Sequence, residues 1–246
     1  MDPFKFTTIA HGNMSICNPV ESSALDACLE RLALEPGDRV IDIGCGKGEM
    51  LIRLAERFGV TGVGLDVNPE FLRLAKEEAE RRAVGRVTFH LSDANSHEPP
   101  SGTFTAAICF GSTHALGDYR SAPGLLAKWV KSGGRLLIGE GYWRQKPDPE
   151  YLHLLGADGT EHGNHNDNIV AGVNAGLLPL FDRTSNVAEW DAYEDLYAQS
   201  VESYLDAEAQ DPDTETMRQR IRTWRSGYLR WGRDTLGFGT YIFRKP

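Results

Sequence analysis

Apolar residues recur along this chain in two alternating rhythms. Short runs rich in β-branched or aromatic residues fall at 39–43, 61–66, 86–91, 104–110, 135–139, 178–185 and 238–243. Each has the length and composition of a strand, and several are apolar without a break, as expected of strands buried on both faces. Between them lie stretches whose apolar residues are spaced three and four apart. Residues 21–34 place Ala24, Leu25, Cys28, Leu29 and Leu32 on one helical face, and residues 69–82 do the same with Phe71, Leu72, Ala75 and Ala79. Residues 50–55, 122–130 and 168–177 repeat the helical rhythm. Strands that alternate with helices in this way build a parallel sheet covered on both sides.

Local signals punctuate the pattern. Pro36-Gly37 ends the first helix, Asn68-Pro69-Glu70 starts another, and Lys131-Ser132-Gly133-Gly134 reads as a glycine C-cap and turn after the 122–130 helix. Residues 1–19 carry no clear periodicity, with a turn at His11-Gly12-Asn13. Residues 144–168 read as irregular. The alternation breaks before the last strand, where residues 188–209 and 214–230 predict two helices separated at Asp211-Pro212. No repeat is present.

Composition narrows the class. The chain has 246 residues, 41% hydrophobic and 25% charged, which suits a globular protein with a sizeable core. No apolar run approaches the ~20 residues that cross a bilayer, and the first residues lack a basic-then-apolar leader. Cys17, Cys28, Cys45 and Cys109 show no metal spacing and read as reduced thiols, so a cytoplasmic location is expected. The net charge of −9 argues against nucleic acid as partner. That charge is local: ten acids and no Lys or Arg lie between Thr184 and Met217, followed by Arg218, Arg220, Arg222, Arg225, Arg230 and Arg233. A helical hairpin whose two arms pair with each other accounts for it.

The chemistry concentrates at Val40-Ile41-Asp42-Ile43-Gly44-Cys45-Gly46-Lys47-Gly48, a strand running through a glycine turn into a helix. Such a turn forms a nucleotide crevice at the carboxyl end of a parallel sheet. Its spacing excludes two nucleotide classes. The dinucleotide fingerprint needs a glycine at the sixth position from Gly44, where Glu49 stands, and no Gly-Lys-Ser/Thr follows for a phosphate loop. Asp42 would repel a pyrophosphate but suits an amine or a cation. Asp66 closes the next strand, 24 residues after Asp42, where an acid accepts both hydroxyls of a ribose.

These residues resemble the class I S-adenosylmethionine-dependent methyltransferases, whose first motif is an acid before a Gly-x-Gly-x-Gly turn and whose second is an acid closing strand two. The resemblance covers roughly residues 20–186 and the last strand. It implies a Rossmann-like, seven-stranded, mostly parallel α/β sheet with helices on both faces and an antiparallel last strand. As a single domain this divides into an N-terminal arm and helix (1–35), a cofactor-binding core (36–186), a helical lid inserted between strands six and seven (187–235) and the last strand (236–246). The cofactor expected is S-adenosyl-L-methionine, with Asp42, Gly44, Cys45 and Gly46 at its methionine end, Asp66 at the ribose, and Asp93 and Ala94 at the adenine, a helix N-cap being the other reading of Asp93; Val67 belongs to the cofactor set as well. Phe110 joins this set at the end of strand four. The preceding arm closes over the site in that family, which makes His11 and Asn18 candidates for contact.

Departures from the family's subgroups bear on the acceptor. Phe110-Gly111-Ser112-Thr113 replaces the Asn/Asp-Pro-Pro-aromatic run of enzymes that methylate nucleic-acid amines. The acids of metal-dependent O-methyltransferases are missing too, so no metal is expected. His153, His162 and His165 lack a cysteine and sit in a polar run, which reads as a substrate-gating loop rather than a zinc site. His114 is a candidate general base or a helix cap, and Glu140 a candidate catalytic or structural acceptor, with Tyr142 beside it. The insertion carries Trp190, Tyr193, Tyr197, Tyr204, Trp224, Tyr228 and Trp231, available for packing or for a substrate pocket. A small-molecule methyl acceptor is expected, with no nucleic acid and no membrane as partner. A nicotinamide-dependent oxidoreductase and a cofactor-binding protein without turnover are the other classes considered.

Overall fold

The computed structural model describes residues 1–96 and 99–246. Seven strands, β1 (Arg39–Ile43), β2 (Thr61–Asp66), β3 (Val87–Leu91), β4 (Phe104–Phe110), β5 (Val130–Trp143), β6 (Leu178–Thr184) and β7 (Leu236–Arg244), form one sheet in the order β3-β2-β1-β4-β5-β7-β6. β1, β2, β3, β4 and β5 pair in parallel, and β7 is antiparallel to both β5 and β6. β6 therefore runs in the same direction as β5. The expected Rossmann-like α/β architecture with an antiparallel last strand is the one observed.

The chain leaves the sheet edge at β3 and crosses β2 and β1 to place β4 on the far side of β1. That reversal creates the crevice between the carboxyl ends of β1 and β4. β1 is buried on both faces beyond Arg39, so its apolar residues Val40, Ile41 and Ile43 do not alternate with exposed polar ones. Val40 packs with Leu51, Leu54 and Ile108 on one face of the sheet; Ile41 and Ile43 pack with Leu65, Leu126 and Phe243 on the other.

The helices, in chain order, are α1 (Lys5–Ala10), α2 (Ser22–Glu30), α3 (Glu49–Phe58), α4 (Pro69–Arg81), α5 (Ala122–Trp129), α6 (Pro149–Leu155), α7 (His165–Asn174), α8 (Val187–Ala207), α9 (Thr214–Gly227) and the short α10 (Arg233–Thr235). A π-helical segment, Tyr228–Gly232, joins the last two. α8 and α9 form the insertion between β6 and β7, and it leaves the sheet at the carboxyl end of β6, as the sequence predicts.

Four expectations need correction. Residues 131–134 are not a glycine cap. α5 passes directly into β5 at Val130, which pairs with Phe104, and the Gly133 N–H and Gly134 carbonyl bond to the Lys245 backbone. The Lys245 ammonium takes over the capping, donating to the carbonyls of Ala127 and Val130 at 2.7 and 2.8 Å. The 144–168 stretch contains α6, started by the Asp148 side chain with Pro149 in its first turn, and the first residues of α7, started by an Asn164–Asp167 capping box. Residues 1–19 contain α1, whose Phe6 and Ala10 join Tyr197, Val201, Met217 and Ile221 of the insertion in a third apolar cluster.

The acidic hairpin does not pair only within itself. Asp195–Arg225 and Asp191–Arg233 link its arms at 2.8 and 2.6 Å. Asp211 and Asp213 instead grip Lys5 of α1 at 2.6 and 2.7 Å, and Glu189 pairs with Arg183 of β6. The insertion is thus stapled to both the N-terminal arm and the sheet. Among the described residues, no helix is long and apolar enough to cross a membrane.

Candidate active site

The turn after β1 is fixed by its neighbour. The Gly44 and Cys45 N–H groups both donate to the Leu65 carbonyl of β2, at 2.8 and 3.0 Å. The Asp66 carboxylate then ties the crevice together: one oxygen accepts the Gly46 N–H at 2.8 Å and the other accepts the Asn68 N–H at 2.8 Å. Asn68 caps α4 through its side-chain oxygen. Two glycines are dictated by this geometry. Gly44 has φ +67, and a Cβ there would sit 2.2 Å from the Ser112 hydroxyl; Gly46 has φ +54, and its missing Cβ would meet nothing within 4 Å. Ser112 closes one side of the turn, and the other side is open space against bare backbone, the cradle a ligand needs.

A hollow of about 270 Å³ lies here. Of the residues expected at a cofactor, Gly44, Cys45, Gly46, Asp66, Val67 and Phe110 line it, together with the candidate base His114 and the arm residues His11 and Asn18. Asn18 packs against Gly111 at the end of β4. Asp42 is placed differently. It lies beneath the turn, fully buried, and neither carboxylate oxygen finds a hydrogen-bond donor among the described residues. Burial first, and the nearby Asp66 second, push its carboxyl well above the usual carboxylate range. Asp93 and Ala94 follow β3, one strand beyond β2, and are not lining residues of this hollow.

Glu140 also stands outside it. Its carboxylate is buried at the carboxyl end of β5, accepting from the Thr113 hydroxyl and, at 2.7 Å, from the Gly141 N–H. The His162 Nδ1 lies 3.5 Å from the same carboxylate. Burial raises the Glu140 pKa and lowers that of His162, so both groups favour their neutral forms. The three histidines of the 153–165 stretch do not converge. His162 faces Glu140 and Trp143, whereas His165 bonds Tyr241 and Asp182 at 2.9 Å each. Tyr142 packs edge-on against His165.

The roof comes from the arm and the insertion. His11 is held by the Thr7 carbonyl at 2.8 Å and the Tyr193 hydroxyl at 3.0 Å, and it packs edge-on against Phe71 and Tyr197. Burial lowers its pKa to about 4, leaving a neutral imidazole whose Nδ1–H donates to Thr7 and whose Nε2 accepts from Tyr193. Asn68 donates to the Thr8 hydroxyl at 2.8 Å, and Lys47 donates to the carbonyls of His11 and Gly12 at 2.6 and 3.2 Å. The segment 15–18 separates the hollow from a second one of about 480 Å³, bounded on its far side by α8.

Sequence reasoning missed three of these groups. Lys47 stood inside the motif but served only to exclude a phosphate loop. His162 was legible only as one of several loop histidines. Glu194, buried in α8 with its carboxylate accepting from the Trp224 indole N–H at 2.8 Å, sat among nine other acids with nothing to single it out.

Comparison with known proteins agrees with this geometry. The methyltransferase-domain family matches residues 34–189. Uncharacterized protein YjhP of Escherichia coli is 31% identical over 248 residues, covering 98% of each chain. A SAM-dependent methyltransferase from Geobacter sulfurreducens, crystallised in complex with S-adenosyl-L-homocysteine, superposes with a TM-score of 0.90 at 29% identity over 98% of each chain. A SAM-dependent methyltransferase from Thiobacillus denitrificans, also in complex with S-adenosyl-L-homocysteine, does so with a TM-score of 0.90 at 27% identity over the full length of both. Strand order, glycine turn and closing acid together place this chain in the class I S-adenosylmethionine-dependent methyltransferase family.

Proposed function

We propose that this protein transfers the methyl group of S-adenosyl-L-methionine to a small molecule. The observation that carries the reading is the crevice itself: bare backbone at Gly46, a carboxylate at Asp66 on one wall and an orphaned buried carboxylate, Asp42, underneath. Each Asp66 oxygen has one lone pair engaged by backbone and one remaining for a ribose hydroxyl. The adenine would run from β2 towards β3, where Asp93 and Ala94 follow. The methionine end would lie over Gly44, Cys45 and Gly46, above the buried Asp42.

When bound, S-adenosylmethionine supplies an electrophilic methyl on a sulfonium. The protein's part is to hold an acceptor in line behind that methyl and keep water out, so proximity and orientation supply most of the acceleration. The arm and the insertion exclude water from above, with Phe110 and Phe238 packed edge-on at the end of β4. His114, which lines the hollow, and the neutral imidazole of His162 beside Glu140 at the end of β5 are the groups available to take a proton from the acceptor. A crevice roofed by two segments suits a small acceptor better than a macromolecule, and the acidic insertion opposes nucleic acid.

The test is incubation with S-adenosylmethionine labelled in its methyl group and fractionated metabolites. Label should appear in a small molecule. Bound cofactor with no transfer to any fraction would favour a binding protein without turnover, and label in protein or RNA would overturn the acceptor class.

A further inference from the structure

Along α8, Ala188, Ala192 and Leu196 recur every fourth residue and so share one face of the helix. Two of the three are alanines, which leave space in front of that face. It forms one wall of the second hollow, whose volume of about 480 Å³ lies within the ~300–1,000 Å³ usual for small-molecule sites. Met14, Ile16 and Val20 of the arm contribute the apolar part of the other wall. Ala188 and Ala192 are exposed, so the hollow is open to solvent. Ser15, Ile16 and Asn18 line both this hollow and the crevice at β1 and β4, so one layer of side chains divides the two. The Asn18 amide is seated at the end of β4, in the space that a Cβ on Gly111 would take. The Tyr193 hydroxyl, from the wall of the second hollow, donates at 3.0 Å to His11 of the crevice.

The charges of these walls restrict what can lie there. Among the described residues that line the second hollow, none is Lys, Arg or His. Its two acids are Glu21, which is exposed, and Glu189, whose charge is met by Arg183 at 2.7 Å; Arg183 is not itself a lining residue. In the crevice the one Lys or Arg among the described lining residues is Lys47. It is held by the carbonyls of His11 and Gly12, and Glu49 and Asp66 line the same space. An anionic head would therefore lose hydration and gain no cation. A protonated amine would find only Glu21, where water screens the pair.

We propose that the second hollow holds the methyl acceptor, and that this acceptor is an uncharged small molecule with an apolar body. The body lies between the arm and the open face of α8, and the nucleophilic end is presented at Asn18. This rests on the methyl-transfer reading above and adds the acceptor's chemical class, which leaves out phosphorylated and carboxylated molecules. In the transfer, a lone pair of the acceptor forms the bond to the methyl carbon as the carbon–sulfur bond breaks. The sulfonium leaves as an uncharged thioether, and the acceptor's proton passes to the base or to water.

The experiment titrates three matched probes, at pH 7, into protein saturated with S-adenosyl-L-homocysteine: para-butylphenol, which is uncharged, para-butylbenzoate, an anion, and para-butylbenzylamine, a cation. The phenol should bind at least about tenfold more tightly than the benzoate, and more tightly than the amine. Ala192→Phe fills the hollow from an exposed helix position. It should weaken the phenol about tenfold or more and leave the affinity for S-adenosyl-L-homocysteine within about twofold. Benzoate or amine bound as tightly as the phenol by the wild type would overturn the proposal. So would a phenol titration that stays flat at millimolar probe, or one that Ala192→Phe leaves unchanged. Failure of the wild type to bind S-adenosyl-L-homocysteine would instead sink the cofactor reading, and the proposal with it.

Discussion

Asp66 shows how one side chain can serve fold and site together. Its two oxygens fix the glycine turn and the start of α4, so removal to alanine would loosen both as well as removing the proposed ribose acceptor. Asp66→Asn is the cleaner probe: it keeps one acceptor oxygen and places an amide where a second hydroxyl would bond. Cofactor affinity in titration should fall by about tenfold or more, while the melting temperature falls by only a few degrees. Glu194 behaves differently. Burial among aromatic side chains pushes its carboxyl up to about 7 from an ordinary 4.5, so the folded state holds a proton that the unfolded chain releases. Its contribution to stability is therefore greatest below pH 4.5 and is lost as pH rises towards 7. Glu194→Gln keeps an acceptor for the Trp224 indole and removes the titration. It should raise the melting temperature at pH 8 by roughly 2–6 °C and change it little at pH 4.5, as followed by calorimetry. Asp42 and Asp66 were legible in the sequence because they sit at fixed offsets from strand ends. Glu194 and Lys47 were not, since what distinguishes them is burial and a partner distant in the chain.

Among the elements, the core strands were readable almost to the residue, because runs buried on both faces leave no alternative periodicity. β2 and β4 begin and end where their apolar runs do. The elements missed were those specified by capping or by long-range contact. α6 is seven residues long and is started by a cap rather than by an apolar stripe, and β5 is prolonged to Trp143 only because β7 pairs alongside it. α1 has too few residues to show a period, and its place is set by Lys5 on Asp211 and Asp213 and by Phe6 against Tyr197. This arm carries a pH dependence of its own. His11 is held neutral, with its pKa lowered to about 4, so the folded arm resists a proton that the freed arm takes up near 6.5. Docking is then at full strength above pH 6.5 and weakens as pH falls from there towards 4. Hydrogen-exchange protection factors at residues 5–12, corrected for the intrinsic pH dependence of amide exchange, should fall over that window while those of the β1 and β4 amides hold, and His11→Asn should abolish the fall. Unchanged protection factors of the arm between pH 7 and 5 would contradict it.

Across the chain as one body, the fold and the cofactor class followed from a simple order: strand, glycine turn, helix, strand, acid. The acceptor did not, because the groups proposed to face it stand on the arm, the insertion and the carboxyl ends of β4 and β5. These meet only when the sheet order brings residues 11, 114, 140 and 193 to one end of the molecule. Deleting residues 1–12 tests that assembly. The truncated chain should keep its sheet, as judged by circular dichroism, yet bind cofactor about tenfold more weakly, since the roof of the hollow and the Lys47 acceptors go with it. The central claim is that the crevice between β1, β2 and β4 accepts the demethylated cofactor, and isothermal titration of the wild-type protein with S-adenosyl-L-homocysteine tests it most directly. Saturable binding at one site per chain, in the micromolar range or tighter, is the predicted result; a flat titration at millimolar ligand would contradict it.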